Sequence, residues 1–355
     1  MTAKPLKIYA DPQYAPRLDD GSPGYTPLVG RFWLQTPPSS VMAAYDQRKH
    51  DLFEITTSPA GADAAVLPGD WNFYRVSAFQ STDATALAQR FADVARQHHL
   101  PLFVFHHADN DLPIPLDAII FRTSAYASQH PPKTLGLPSW SSTITDKMPL
   151  RPWERTPVIG FCGSATRSTP RKRLWHWGRM VRQLVLRRQP VYASPRDQRA
   201  RALDLLRRSP RVATHFIIRS QYYGGAQTAS TEAEVVRIQS EYRDNMRDSD
   251  YTLCMRGNGN YSIRFYETLC AGRIPLFVNT DCLLPYADEV NWRTLFPWVE
   301  ARDLARIADT AADFHAGLSA DAFTALQIEL RALWETWLSP HGFFAKLPLA
   351  LEKYA

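Results

Sequence analysis

The first half of the chain alternates short apolar runs with polar connections. The apolar runs are four or five residues long, as is typical of buried strands, and they span residues 7–10, 64–67, 102–106 and 118–121. Between the second and third runs, apolar residues recur with helical spacing over residues 83–98, which predicts an amphipathic helix capped by Ser81 or Thr82. Strands joined through a helix in this way indicate βαβ units on a parallel sheet.

The second half repeats this alternation after a connection rich in proline and serine. Residues 131–157 show little periodicity, which predicts a linker between domains. Beyond the linker, the predicted strands span 157–163, 214–219, 251–255 and 274–278, and the predicted helices span 171–188, 231–246, 261–271, 303–314 and 321–338. We therefore expect an α/β protein with two doubly wound, Rossmann-like domains, over residues 1–150 and 151–317, that face a cleft.

The length and composition of the chain are those of a folded two-domain protein. Its 355 residues exceed what one hydrophobic core usually holds, and 45% of them are apolar while 21% are charged. The first ten residues do not have the pattern of a signal peptide, and no apolar run approaches the roughly 18 residues of a membrane-spanning helix. From these features we expect a cytoplasmic protein.

Positive charge is concentrated in one part of the chain. The net charge is only +6, yet residues 167–211 contain fourteen Arg and Lys side chains against two acids, Asp197 and Asp204. Such a block favours an anionic partner, which could be the phosphates of a ligand, an acidic membrane face or nucleic acid; a solvated helix face explains it equally well. Because no nucleic-acid-binding module is recognisable, we expect no nucleic acid partner.

The segment after the predicted strand 251–255 has the strongest signs of a binding site. It begins with Arg256-Gly-Asn-Gly259, whose glycines allow the backbone to approach a ligand closely. The helix that follows starts near Tyr261 or Ser262, and the free N–H groups at its start favour a phosphate. This arrangement predicts a phosphate-binding loop at the carboxyl end of a strand.

Two charged residues of the same helix extend this prediction. Arg264 and Glu267 lie three residues apart and therefore on one helical face. Arg256 and Arg264 could each donate charge-assisted hydrogen bonds to a diphosphate, whereas an ionised Glu267 only accepts and suits a ribose diol. On spacing alone, a surface ion pair between Arg264 and Glu267 explains the pattern as well.

The segment resembles the nucleotide-sugar domain of exostosin-family glycosyltransferases. That family pattern is an apolar strand, C-x-R-G, a polar loop, S-x-R-x-x-E-x-x-x-x-G-x-I-P and an acidic residue before L-P. The matching positions are Cys254, Arg256, Gly257, Ser262, Arg264, Glu267, Gly272, Ile274, Pro275, Asp281, Leu284, Pro285, Trp292 and Glu300. Residues 158–163 are similar to the strand that opens the second domain in bacterial members. The chain departs from the family at Met255, where the pattern has proline.

The resemblance implies a GT-B architecture and glycosyl transfer from a nucleotide sugar. In this fold, two Rossmann-like domains face a cleft, and the second domain holds most of the donor. The resemblance also implies that a final helix within residues 318–355 returns to the first domain. It further implies an inverting, metal-independent reaction with no cofactor, a glycan or glycolipid acceptor, and peripheral contact with anionic lipid at the inner membrane face.

The resemblance assigns roles to particular residues. Arg256 and Arg264 would contact the diphosphate, and Glu267 would contact the ribose. The other expected donor-binding residues are Gly257, Asn258 and Ser262 of the same loop, and Gly163, Arg167 and Arg171 of a second clamp.

A catalytic base is expected at the end of a strand in the first domain. The sequence from His106 to Asp111 follows the predicted strand 102–106, and we assign the base to Asp109, with Asp111 and His106 as the next candidates. Turn chemistry explains the Asp-Asn-Asp sequence equally well.

Other functions remain open at this point. Asp109 and Asp111 form a D-x-D pattern, which could instead hold a divalent cation in a metal-dependent glycosyltransferase. A catalytically inactive scaffold and a sugar-nucleotide epimerase are further alternatives. The sequence does not name the nucleotide, the sugar or the acceptor.

Overall fold

Two parallel β-sheets organise the chain. A computed structural model describes residues 4–30, 40–76, 80–165, 194–219 and 231–354. The strands of the first sheet are β1 (Leu6–Tyr9), β2 (Phe53–Thr56), β3 (Ala64–Val66), β4 (Leu102–His106), β5 (Ile119–Arg122) and β6 (Thr134–Gly136). The strands of the second sheet are β7 (Val158–Ser164), β8 (Ala213–Arg219), β9 (Tyr251–Cys254), β10 (Ile274–Asn279) and β11 (Trp298–Glu300).

Helices cover these sheets, and the last four of them follow the final strand. The α-helices of the described ranges are α1 (Ser40–Arg48), α2 (Thr85–Gln97), α3 (Pro195–Arg208), α4 (Glu232–Arg247), α5 (Ile263–Cys270), α6 (Ile307–Ala316), α7 (Ala320–Leu333), α8 (Pro340–Phe344) and α9 (Leu347–Tyr354). None of them is long and apolar enough to cross a lipid bilayer. We call the first sheet with α1 and α2 the first unit, and the second sheet with α3 to α6 the second unit.

The first sheet is covered on both faces, which explains its continuous apolar strands. In β4, Val104 packs on the α2 side with Phe91, whereas Phe103 and Phe105 pack on the opposite side, toward α1. Because successive side chains of a strand point to opposite faces, a strand buried on both sides must be apolar throughout. The expected α/β fold with two parallel sheets is confirmed.

Both sheets have the strand order of a doubly wound fold. The order is β2-β1-β3-β4-β5-β6 in the first sheet and β11-β10-β9-β7-β8 in the second. Counted along the chain, each contains the order 2-1-3-4-5, in which the direction of winding reverses between the first and third strands. In the second sheet this reversal lies between β7 and β9. Ligands of such sheets bind beyond the carboxyl ends of the strands at that point.

Most predicted elements are present with shifted ends, and two predictions were wrong in part. The stretch 131–157 is not linker throughout, because β6 pairs with β5 at the edge of the first sheet. The helix expected over 303–314 begins only at Ile307, because Ala301–Arg306 forms 3₁₀ turns. The helix expected over 171–188 lies outside the described residues, and the limits of the two domains stay predictions.

The C-terminal helices contact both units. Phe344 of α8 stacks on Tyr45 of α1 with 5.0 Å between ring centroids, and it also contacts Phe105 at 5.7 Å. Its neighbour Phe343 accepts a hydrogen bond at its carbonyl from the Tyr286 hydroxyl of the second unit, at 2.8 Å. The expected return of the C-terminal segment to the first unit is therefore present in the structure.

Candidate functional site

Arg264 lies at the switch point of the second sheet. The residue is in the first turn of α5, and its Nη2 donates to the carbonyl of Cys162 in β7 at 2.7 Å. Its guanidinium lies 4.6 Å from the centroid of the Phe161 ring. Gly163 lies close beside it, since a Cβ at that position would lie 2.9 Å from Arg264 Nη2. The structure thus brings together Gly163 and Arg264, which the sequence placed in separate clamps.

Arg256 lies at the carboxyl end of β9, on the other side of the switch point. Its Nη1 donates to the Tyr126 hydroxyl at 3.0 Å, and its Nη2 donates to the Asn258 carbonyl at 2.9 Å. Arg199 of α3 donates both to the Arg256 carbonyl at 3.1 Å and to the Ser164 carbonyl at 2.8 Å. Arg199 thereby ties the end of β7 to the end of β9.

A fourth guanidinium belongs to the last residue of β8. Arg219 donates to Glu241 Oε2 at 2.7 Å and to the Ile238 carbonyl at 3.3 Å. The buried Nε atoms of Arg219, Arg256 and Arg264 have no hydrogen-bond partner within the described residues. Four guanidiniums at one sheet edge create a strongly positive site with unused donor capacity, and such a site favours an anion.

Sequence reasoning did not identify Arg199 and Arg219 as site residues. Both belong to the second half of the chain, where arginines are common, and no local motif distinguishes them from surface arginines. The signal that could have found Arg219 is its place at the end of a predicted strand, beside the strand that ends at Gly163.

Glu267 is buried beside the same cluster. Its carboxylate accepts one hydrogen bond from the Ser141 hydroxyl and another from the Tyr242 hydroxyl. The ring of Tyr242 also faces the Arg264 guanidinium, at 5.6 Å. Burial and the neighbouring Glu267 charge raise the pKa of Tyr242 well above its ordinary value, so its hydroxyl remains a donor. Because these bonds use both Glu267 oxygens, a ribose would have to share or replace them.

The loop between β9 and α5 contacts the first unit. Gly259 packs against the backbone of Asp109, where a Cβ on Gly259 would lie 2.9 Å from the Asp109 Cα. The backbone N–H of Asn260 donates to the Ser124 hydroxyl at 2.9 Å, and its side-chain amide donates to the Ala125 carbonyl at 3.0 Å. The predicted phosphate-binding loop, residues 256–262, and the loop predicted to hold the base, residues 106–111, therefore meet between the two units.

The remaining predicted residues of these loops differ in burial. Ser262 is buried and precedes α5 as its N-cap, Asn258 is exposed, and Gly257 donates its N–H to the Tyr261 carbonyl. Arg167 and Arg171 lie outside the described residues. Within the described ranges, no three His, Cys, Asp or Glu side chains are grouped to hold a metal ion.

The predicted base loop contains one deeply buried histidine. His106 is 2% exposed, and its Nδ1 lies 3.2 Å from Arg122 Nη2. Burial lowers the pKa of His106 to about 4; Asp70 opposes this effect and Arg122 adds to it. Since Arg122 can only donate, His106 Nδ1 accepts, and the imidazole is neutral at neutral pH. Asp109 is exposed, and Asp111 is half-buried.

The low pKa of His106 predicts a pH-dependent loss of stability. An unfolded histidine titrates near pH 6.5, so the stabilising effect of a neutral His106 is complete above that pH and decreases as the pH falls toward 4. We expect wild type to lose up to about 3 kcal/mol more unfolding free energy than His106→Gln over this range. Urea unfolding at pH 7 and pH 4 measures the difference. Equal losses in both proteins would contradict the prediction, and exposed His98→Gln is the control.

A second histidine of this loop forms a buried dyad that sequence reasoning missed. His107 Nδ1 lies 2.5 Å from Asp70 Oδ2, and the side chains are 6% and 1% exposed. The same carboxylate oxygen accepts the His107 backbone N–H at 3.0 Å, while Asp70 Oδ1 accepts the Asn72 N–H at 3.0 Å. Asp70 follows β3 and His107 follows β4, which are neighbours in the sheet. The adjacency of these two strands is the feature from which the contact between Asp70 and His107 could have been predicted.

Comparison with known proteins finds a family that part of the second unit resembles. Residues 191–312 match the family model described as the Exostosin GT47 domain. This segment is similar to an exostosin GT47 domain. The matched range contains Arg199, Arg219, Arg256, Arg264 and Glu267, and the resemblance inferred from the motif is confirmed over it.

Curated relatives match about a quarter of the chain. Exostosin-1 of Drosophila melanogaster is 28% identical over 97 residues, which are 27% of this chain and 12% of the relative. Exostosin-1b of Danio rerio is 29% identical over 99 residues, or 28% of this chain and 13% of the relative. The chain thus matches about an eighth of each relative's length.

Proposed function

We propose that the protein is a glycosyltransferase that binds the diphosphate of a nucleotide sugar at the guanidinium cluster of its exostosin GT47 domain. The cluster, formed by Arg199, Arg219, Arg256 and Arg264, lies at the switch point of a doubly wound sheet. This single observation supports the proposal most strongly, because a diphosphate supplies several acceptor oxygens and concentrated negative charge.

The cluster also suits the chemistry of a diphosphate leaving group. When the bond between the anomeric carbon and the diphosphate breaks, negative charge develops on the phosphate oxygens. Fixed guanidiniums and the start of α5 can stabilise this charge in place of a metal ion. The proposed reaction is therefore metal-independent. It is a single inverting displacement in which the hydroxyl of a glycan or glycolipid acceptor attacks the anomeric carbon.

The acceptor is proposed to enter from the first unit. The loop from His106 to Asp111 follows β4 and packs on the phosphate loop at Gly259. A hydroxyl held by this loop would face the donor across the junction of the two units. This placement supports a transfer reaction over simple storage of a nucleotide.

Nucleotide binding provides the direct test of the proposed function. We expect UDP, GDP or CDP to raise the melting temperature, because a ligand at 100 times its dissociation constant adds about 2.7 kcal/mol of stability. Arg256→Ala and Arg264→Ala should each weaken this binding about 10- to 150-fold, the equivalent of 1.5–3 kcal/mol for a lost charge-assisted contact. Isothermal titration calorimetry with the preferred nucleotide measures the change.

Arg302→Ala is the matched control for these variants. Its side chain is 85% exposed on the second unit, so its removal should leave the affinity unchanged. Wild-type protein that binds none of the three nucleotides would refute the proposed function. Loss of activity in excess EDTA would favour the metal-dependent alternative with Asp109 and Asp111, and intact binding without turnover of any donor would favour an inactive scaffold.

A further inference from the structure

A short stretch of the first unit reaches the guanidinium cluster of the second. We call residues 123–128, which follow β5, the bridging segment. Its first two residues hold the loop after β4. The Thr123 hydroxyl donates to the Ala108 carbonyl at 3.0 Å, and the Ser124 hydroxyl donates to the Asp109 carbonyl at 3.2 Å. The start of the bridging segment is therefore fixed to the first unit.

The bridging segment is also fixed to the second unit, on both sides of Tyr126. The Ala125 carbonyl accepts the side-chain amide of Asn260 at 3.0 Å. The Ala127 N–H donates to the Asp281 carbonyl at 2.8 Å. Because its two neighbours in the chain are held in this way, the backbone from which the Tyr126 side chain extends is set before a ligand binds.

Tyr126 holds the Arg256 side chain. Its hydroxyl oxygen accepts from Arg256 Nη1 at 3.0 Å, and the centroid of its ring lies 5.9 Å from the guanidinium carbon. Nη2 of the same guanidinium donates to the Asn258 carbonyl at 2.9 Å. Two acceptors on different nitrogens fix the plane of the guanidinium, which can only donate. Arg256 is only half-buried, so an anion can still reach it.

We propose that Tyr126 of the first unit is a positioning residue of the donor site, which holds the Arg256 guanidinium in place for the diphosphate. This proposal rests on the proposed function and adds a residue from the other unit to it. An arginine side chain loses rotamer freedom when it binds a phosphate, and a side chain that is already held loses less. The second unit thus binds the donor at full strength only when the first unit is docked on it.

Nucleotide binding to Tyr126→Phe tests the proposal, because this change removes only the hydroxyl. The probe is whichever of UDP, GDP and CDP raises the melting temperature of the wild-type protein most. We expect its dissociation constant to rise about three- to tenfold, the range for one additional side chain immobilised on binding. Inorganic pyrophosphate should lose the same factor, because Arg256 acts on the phosphates. Isothermal titration calorimetry, direct for the nucleotide and by competition for pyrophosphate, measures both changes.

A double-mutant cycle shows whether Tyr126 acts through Arg256. In the Arg256→Ala background, Tyr126→Phe should change the dissociation constant less than about 1.5-fold, since the group that it positions is gone. Ser128→Ala is the matched control. It removes another hydroxyl of the bridging segment, which donates to Asp281 Oδ2 at 2.6 Å, and it keeps the Ser128 N–H contact to the same carboxylate. Its nucleotide affinity should stay within about 1.5-fold of wild type.

The other outcomes would each overturn the proposal. Affinity of Tyr126→Phe within about 1.5-fold of wild type would do so, as would an equal loss with and without Arg256. Weaker nucleotide binding with unchanged pyrophosphate binding would instead assign Tyr126 to the base or the sugar. An equal loss in Ser128→Ala would show a general loosening of the junction. If wild-type protein binds none of the three nucleotides, the proposed function itself fails, so the two failures are distinguishable.

Discussion

Replacing Asp250 by alanine is expected to destabilise the protein by about 3–5 kcal/mol, the usual cost of removing one partner from a buried ion pair. The Asp250 side chain is 1% exposed, and its Oδ1 accepts from Arg151 Nε at 2.5 Å. Its Oδ2 accepts the backbone N–H of Val158, the first residue of β7, at 2.8 Å. Alanine would break both contacts and leave Arg151 without its buried counter-ion.

A second buried guanidinium increases this effect. Arg273 is 1% exposed, and its pKa is lowered to about 10, mainly by burial and to a smaller extent by Arg151, while Asp250 acts in the opposite direction. At neutral pH the Arg273 side chain is still charged, so the variant would leave buried Arg273 and partly buried Arg151 with less compensation of their charges. Asp250 also holds the start of β7 beside the start of β9, the two strands whose carboxyl ends carry the proposed site.

Urea unfolding followed by circular dichroism measures the change in unfolding free energy. Asp250→Asn keeps the shape and one acceptor, and should cost less than alanine. Asp117→Ala is the matched control, because its exposed pair with Lys133 should contribute less than about 1 kcal/mol. A loss below about 1 kcal/mol for Asp250→Ala would show that the buried pair is not a stabilising element.

Replacing Phe343 by alanine is expected to cost about 3–5 kcal/mol and to weaken the junction between the two units. Phe343 is fully buried and contacts Phe121 of the first sheet at 5.5 Å and Tyr286 of the second unit at 5.4 Å between ring centroids. Alanine would leave a cavity shared by both units. Because the proposed donor and acceptor sites lie on different units, their alignment should suffer as well.

Limited proteolysis and unfolding together test this prediction. Phe343→Ala should be cleaved faster than wild type between residues 137 and 157, where the chain passes from the first sheet to the second. Phe323→Ala removes the same volume from a fully buried position packed on Tyr251 and His315 of the second unit. This control should lose similar stability with less effect on cleavage there. Equal cleavage rates for both variants would refute a bridging role for Phe343.

The sequence determined the elements that carry strong local signals. The apolar run at 102–106 coincides with β4, because a strand buried on both faces has no polar positions to blur its ends. The fixed spacing of Arg256, Arg264 and Glu267 also revealed the resemblance to exostosin-family proteins, and the exostosin GT47 match covers all three residues. Such spacings are local properties of a strand, a loop and a helix, so they can be recognised before the fold is known.

Short edge strands were less accessible to the same reasoning. β2, β6 and β11 are three or four residues long, and each pairs with only one neighbour. Their residues show no clear alternation, because their pairing depends on the strand already in place beside them. The proline-rich sequence around β6 therefore predicted a linker where the chain adds an edge strand.

Only the tertiary structure decided which distant side chains meet at the site. Arg199 and Arg219 join Arg256 and Arg264 because the order β9-β7-β8 brings the ends of these strands together. Asp70 and His107 are 37 residues apart and meet because β3 and β4 are neighbours. Hydrophobic periodicity specifies which face of a strand is buried, but it does not specify strand order. Long-range packing sets that order, and with it the chemistry at the sheet edges.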